Sequence, residues 1–276
     1  MVLLVASACA DADADADADS GSGMMGGSES TTGEPCGVVH DGELRIDETT
    51  DLTMVEPVRV VQGGLIVIGL AASDLQVLSC LEEVEGDVRI IDNTGLVTLA
   101  GLDRLREIRA DDGDAGIGNL IIAGNPLLQS LVGLDQLETV QALRLEDNTV
   151  LASIGLPSLA TIEHGIRLGG CSGGEVGDDT PASASGDNPL LTGLDGLDAL
   201  QQVGGLWIHG QQALVSLARL RELAEAGTEF AAPVEIGLNP LLPTSEITSF
   251  ADAAGLDTVV ACQNADDAVA CACPSD

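Results

Sequence analysis

The chain has 276 residues, enough for one large domain or two small ones, and a formal net charge of −35. All ten basic residues are Arg, and the aromatics are two Phe and one Trp with no Tyr. So acidic a chain lacks the basic face that phosphates require, which argues against nucleic acid and anionic headgroups as partners; the core must be built from Leu, Ile, Val and Ala.

Residues 1–9, "MVLLVASAC", carry a short apolar run, then Ala6, Ser7 and Ala8, then Cys9. This resembles a bacterial lipoprotein signal, which implies lipidation at Cys9. No basic residue precedes the run and it is shorter than an ordinary signal core, which a start upstream of Met1 would explain. Residues 10–35 alternate Asp with Ala and then turn Gly/Ser-rich; like charges repel and the composition buries nothing, so a solvated tether is expected. No stretch is long and apolar enough to span a bilayer as a helix. Residues 36–276 read as a single folded domain. Six cysteines follow Cys9, and an even number in an exported chain points to disulfides, with fifteen pairings open. Cys262, Cys271 and Cys273 crowd the C-terminus. A stack's last layer has an uncovered apolar face, so at least one disulfide is expected there, Cys262–Cys271 before Cys262–Cys273.

Throughout the folded domain a single phrase repeats with a basic period near 21 to 23 residues, lengthened where insertions fall. An apolar-x-apolar tripeptide starts at Leu44, Leu65, Val88, Leu120, Leu143, Ile166, Leu206, Val234 and Val259. Two side chains on one face and one on the other is the pattern of a short strand. Five residues after the start stand Asn93, Asn125, Asn148, Gln211, Asn239 and Asn264, whose amides are expected to satisfy backbone groups at the turn and to stack as a ladder; Cys171 takes that position in the sixth copy. Apolar residues then recur every third position, as in Leu128, Leu131, Leu134, Leu137 and Val140. One repeat cannot cover its own apolar face, so the copies must stack. The expected fold is a β-rich solenoid with about nine short parallel strands. Insertions at 109–118, 171–186 and 224–233 are expected as surface excursions, with "RLRELAEAG" as a short helix.

The pattern GxLxIxxNxxLxSLxGLxxLxxI, seen in Gly86–Ile108, Gly118–Val140 and Gly205–Leu217, resembles the receptor L-domain. That resemblance covers roughly residues 42–264. It implies a right-handed, leucine-rich-repeat-like or β-helical solenoid of the kind found in growth-factor receptor ectodomains and bacterial surface lipoproteins. An ordinary leucine-rich repeat shares the Leu-x-Leu-x-x-Asn strand signature; the longer three-periodic return favours the L-domain.

Chemistry finds little purchase in these residues. His164 and Cys171 form a conceivable thiol–imidazole pair, but an exported Cys more often ends in a disulfide. "DDGDAG" (111–116) starts like a calcium loop, yet the required bidentate acid would fall at Ala123. A polysaccharide-cleaving β-helix needs clustered carboxylates, and the acids here are dispersed among Arg. No cofactor or metal motif occurs, and an enzyme is not expected. The middle residues of the tripeptides face out of the sheet: Arg45, Ile66, Arg89, Ile121, Arg144, Arg167, Trp207, Glu235. Arg144 and Arg167 on adjacent rungs should repel unless something anionic bridges them, and Trp207 supplies a stacking plane. Arg89, Arg144, Arg167, Trp207 and the rim residue His209 are therefore the candidate binding residues, and His40 is read as a cap. The expected function is a non-catalytic recognition module on an outer-membrane, cell-surface or periplasmic lipoprotein, binding a protein or glycan and touching membrane only through its lipid. A β-helix enzyme acting on acidic polysaccharide and a purely structural envelope component are the alternatives.

Overall fold

A computed structural model describes residues 36–110, 118–169 and 186–267. Its strands are β1 (Val38–Asp41), β2 (Leu44–Ile46), β3 (Val58–Gln62), β4 (Leu65–Ile68), β5 (Glu83–Val84), β6 (Val88–Ile91), β7 (Glu107–Ile108) and β8 (Asn119–Ala123). They continue with β9 (Thr139–Glu146), β10 (Thr161–Leu168), β11 (Gln202–Val203), β12 (Leu206–His209), β13 (Glu229–Phe230), β14 (Val234–Gly237) and β15 (Val260–Cys262). The helices are α1 (Ala218–Glu225) and α2 (Thr244–Ala254).

Every strand pair is parallel, and the strands fall into two files. One file runs β1, β3, β5, β7, the first halves of β9 and β10, then β11 and β13. The other runs β2, β4, β6, β8, the second halves of β9 and β10, then β12, β14 and β15. The second file holds the repeated tripeptides, nine strands among the described residues. Its last step pairs Glu235 with Val260, which places Val259 beside Val234. β9 and β10 pass through both files without a break. Elsewhere the chain turns a corner, where a Cβ on Gly86 would lie 2.6 Å from the Gly63 carbonyl carbon. Only glycine lets the layers close up there.

The return arc has its own period. Leu96, Leu99, Leu102 and Leu105 are wholly buried, as are Leu128, Leu131, Leu134 and Leu137. Turns three residues long set this spacing: Leu102 N–H donates to Leu99 O at 3.0 Å, and Leu105 N–H to Leu102 O at 3.0 Å. Each third side chain therefore points inward, and the core is aliphatic up to its last two layers. In the last two layers helices replace these turns. α1 buries Leu220, Leu223 and Ala224, and α2 buries Ile247 and Phe250. Helices fill more space than turns, and both Phe are spent there, Phe230 meeting Phe250 edge to face at 5.0 Å. α2 stops at Gly255, whose φ of 64° sets the left-handed cap.

The side-chain ladder lies just past the second file. Asn93, Asn125, Asn148, Asn188, Gln211, Asn239 and Asn264 are all buried. Each Oδ1 (Oε1 in Gln211) accepts from the backbone N–H of the preceding rung, as from Asn93 N to Asn125 Oδ1 at 3.2 Å and from Asn125 N to Asn148 Oδ1 at 3.3 Å. Each Asn Nδ2 donates to a strand carbonyl of the previous layer, for instance Asn148 to Ile122 O at 2.9 Å and Asn188 to Leu145 O at 3.1 Å. This corrects one expectation. The sixth rung is Asn188, not Cys171, because the 171–186 insertion leaves before the turn and the chain resumes the motif at "NPLL" (188–191), the phrase also found at 125–128 and 239–242. The residue before most rungs has positive φ: Asp92, Gly124, Asp147, Gly210, Leu238 and Gln263.

At the N-terminal end Cys36 is bonded to Cys80, a pairing across 44 residues that the sequence left open. Cys262 is disulfide-bonded; Cys271 and Cys273 lie outside the described residues, as do Cys9, the 10–35 tether, Cys171 and the 111–116 loop. His40 sits on β1, the end strand of its file, with Nε2 3.3 Å from Glu43 O.

Candidate functional site

Strand register brings the eight middle residues into one continuous row. Arg45 neighbours Ile66, then Arg89, Ile121, Arg144, Arg167, Trp207 and Glu235 follow rung by rung. Facing out of the sheet does not leave every residue of the row accessible. Ile66 is 3 % exposed and Ile121 8 %. Two residues further along the strands, Ile91, Ala123, Glu146 and His209 are buried as well. His209 is thus a covered residue and not a rim one. Burial lowers its imidazole pKa, with Glu235 opposing and Arg167 reinforcing that shift.

Three of the four arginines in the row are held by an acid two residues away in sequence, on the strand or just beyond its end, a spacing that turns both side chains to one face. Arg45 meets Asp47 at 3.4 Å and Arg89 meets Asp87 at 3.3 Å. Arg144 grips Glu146 with two bonds, Nε to Oε1 at 2.6 Å and Nη2 to Oε2 at 3.1 Å. The expected clash between Arg144 and Arg167 is relieved in this way, with no external anion. Arg167 differs because its strand neighbours at the same spacing are Gly165 and Gly169. Among the described residues it pairs with no carboxylate. Its Cζ stands 5.5 Å from the Trp207 ring centroid, a cation–π contact. Trp207 in turn lies so close on Gly205 that a Cβ there would fall 2.8 Å from Cη2.

Glu83 and Glu107 are adjacent on the first file, but Arg109 is bonded to Glu83 and Glu85 and neutralises them. Asp147, unremarked in the sequence, has its pKa pushed up to about 6 by burial first and then by Glu146, Asp187 and Asp92. Asp92 is raised by burial. Both occupy the positive-φ turn position, a backbone role that aspartate tolerates. Their sequence signal is the Asp-Asn dipeptide at 92–93 and 147–148. His164 is exposed on β10.

A cavity of about 420 Å³ lies at the C-terminal end, lined by β11, β13 and the ends of α1 and α2, with Glu229 as its one ionisable lining residue. Among the described residues no group of three His, Cys, Asp or Glu is arranged to hold a metal, and no helix is long and apolar enough to cross a membrane. No protein-family model matches the chain, and no curated protein or solved structure matches it either.

Proposed function

We propose that the chain is an exported surface lipoprotein, anchored through Cys9 and carried on the 10–35 tether. Its residues 36–276 form a right-handed solenoid of the receptor L-domain type and bind a protein or glycan partner without catalysis. The parallel register of the second file and the three-residue return turns support the solenoid reading. The binding reading rests on Arg167. In a row where the other arginines are matched by acids, this one has no carboxylate partner among the described residues and is braced on Trp207. A guanidinium held in place over a ring loses little freedom when an oxyanion binds, so the partner should offer a carboxylate or sulfate.

The test is an array of glycans and proteins probed with the wild-type chain and Arg167→Ala at physiological salt. Ligands should carry an anionic group and lose at least tenfold affinity in Arg167→Ala, while tolerating Arg45→Ala. Ligands indifferent to Arg167→Ala would remove the proposed contact. Release of fragments from polygalacturonate would favour an enzyme instead.

A further inference from the structure

The first file ends one strand short of the second, and this leaves a sheet edge facing a cavity. β14 pairs onward with β15, but among the described residues β13 pairs with β11 alone. The step from Glu235 to Val260 spans 25 residues, and the same step from Phe230 falls on Gly255. There the chain is still completing α2, whose cap at Gly255 has φ 64°, so among the described residues no strand is laid against β13 on that side. The cavity of about 420 Å³ is lined by β13 with its flanking residues Thr228 and Ala231, by Gln202 and Val203 of β11, and by Ala253 and Ala254 at the end of α2.

Hydrogen bonding states what the edge wants. Glu229 N–H donates to Gln201 O at 2.8 Å and Ala231 N–H to Val203 O at 2.8 Å. Alternation along a strand then turns the N–H and C=O of Phe230 the other way, toward the cavity. The described residues supply no strand to receive them. An extended backbone running parallel to β13 would meet both groups at once, and no rigid ligand class matches a strand edge so directly.

We propose that this groove is a strand-addition site for an extended peptide, neutral or basic in charge, with an aliphatic side chain entering the cavity. Backbone pairing to Phe230 sets the peptide's direction. Ala253, Ala254 and Val203 give the cavity aliphatic walls, which suit an aliphatic side chain. Glu229 is exposed, it is the sole ionisable lining residue, and the whole chain carries −35. An acidic peptide is therefore repelled, and a Lys or Arg flanking the inserted residue is favoured. The site is distinct from the Arg167–Trp207 row and does not depend on the reading given for it.

The experiment is selection of a random heptapeptide display library on the purified full chain, followed by titration of the enriched peptides made synthetically. Enriched sequences should be strand-prone with Lys or Arg and few acids. N-methylation along a selected peptide should weaken binding at least tenfold at alternate positions only, the signature of one paired strand edge. Glu229→Arg, an exposed change, should switch the selection toward Asp and Glu. Ala254→Trp, checked for an unchanged melting temperature, should abolish binding by filling the cavity. The proposal is overturned if no peptide enriches, if N-methylation acts without alternation, or if Glu229→Arg leaves the selected charge unchanged. A concentration-dependent dimer lost in a folded Ala254→Trp chain would assign the groove to a second copy and overturn it equally.

Discussion

Replacing Asn148 with alanine removes a side chain that serves three layers at once. Its Oδ1 accepts from the Asn125 N–H at 3.3 Å and from Asn125 Nδ2 at 3.1 Å. Its Nδ2 donates to Ile122 O at 2.9 Å, Glu146 O at 3.0 Å and Asn188 Oδ1 at 3.2 Å. Some of these groups keep another partner: Glu146 O still receives Gly124 N–H, and Asn188 Oδ1 still receives Asn148 N–H. The Asn125 N–H does not, and a buried unpaired donor costs roughly 1–3 kcal/mol. Two or three lost bonds at about 1 kcal/mol each bring the total to about 3–6 kcal/mol. In a domain of this size that corresponds to a fall in Tm on the order of 10 °C. Thermal unfolding followed by circular dichroism measures it. Asn148→Asp separates the donor role from mere polarity, because a carboxylate oxygen would face Ile122 O and Glu146 O. That variant should be worse than alanine at pH 7 and recover some of the loss at pH 4, where the carboxyl can donate. An alanine variant melting within 2 °C of wild type would refute the ladder as a stabilising element.

Asp147 keeps its proton to about pH 6 in the fold against an ordinary 3.8. The folded state thus binds more protons in that window, and stability falls as pH rises through it. Asp147→Asn should raise stability at pH 7 by about 1 kcal/mol after discounting for its partial exposure, with the gain vanishing below about pH 4; an equal gain at both pH values would exclude titration as the cause. The Cys36–Cys80 bond closes 44 residues, so Cys36→Ser with Cys80→Ser should lower unfolding free energy by about 4 kcal/mol on the chain-entropy estimate, and an unchanged denaturant midpoint would contradict that. Leu238 holds φ 60° where other layers use Gly124 and Gly210. Leu238→Gly should gain about 0.5–1 kcal/mol, strain relief of roughly 1–2 less the entropy cost of glycine; a lower Tm would mean its half-buried side chain contributes more than the turn costs.

The strand register is legible in the chain because each tripeptide places two apolar residues inward at a period of two. A slip of one residue would expose both, and Leu44, Leu65, Val88 and Leu120 tolerate no such slip. The three-residue return is equally visible, since Leu is repeated at each inward step. What stays hidden is set by neighbours distant in sequence. Asn188 is obscured because five residues on from Ile166 falls in the insertion, although "NPLL" marks the true resumption. α2 gives a weak signal because its apolar residues are few, yet Pro243 before it and Gly255 after it bracket it as stop signals do. The cavity beside β13 follows from that same helix, so no pattern in β13 itself announces it.

The outward row shows how period-two reasoning succeeds and fails at one site. It names which residues face out, and the register places all eight of them side by side. It does not say which remain accessible, since burial of Ile66 and Ile121 depends on what lies across the sheet, not along it. Pairing, by contrast, is written in the strands: Arg45-x-Asp47, Asp87-x-Arg89 and Arg144-x-Glu146 each put opposite charges on one face two residues apart. Applied to Arg167, that rule finds Gly165 and Gly169 and no acid. The arginine with the least help from its own strand is the one that leans on the chain's single tryptophan, and both facts follow from the residues two places away and one rung across.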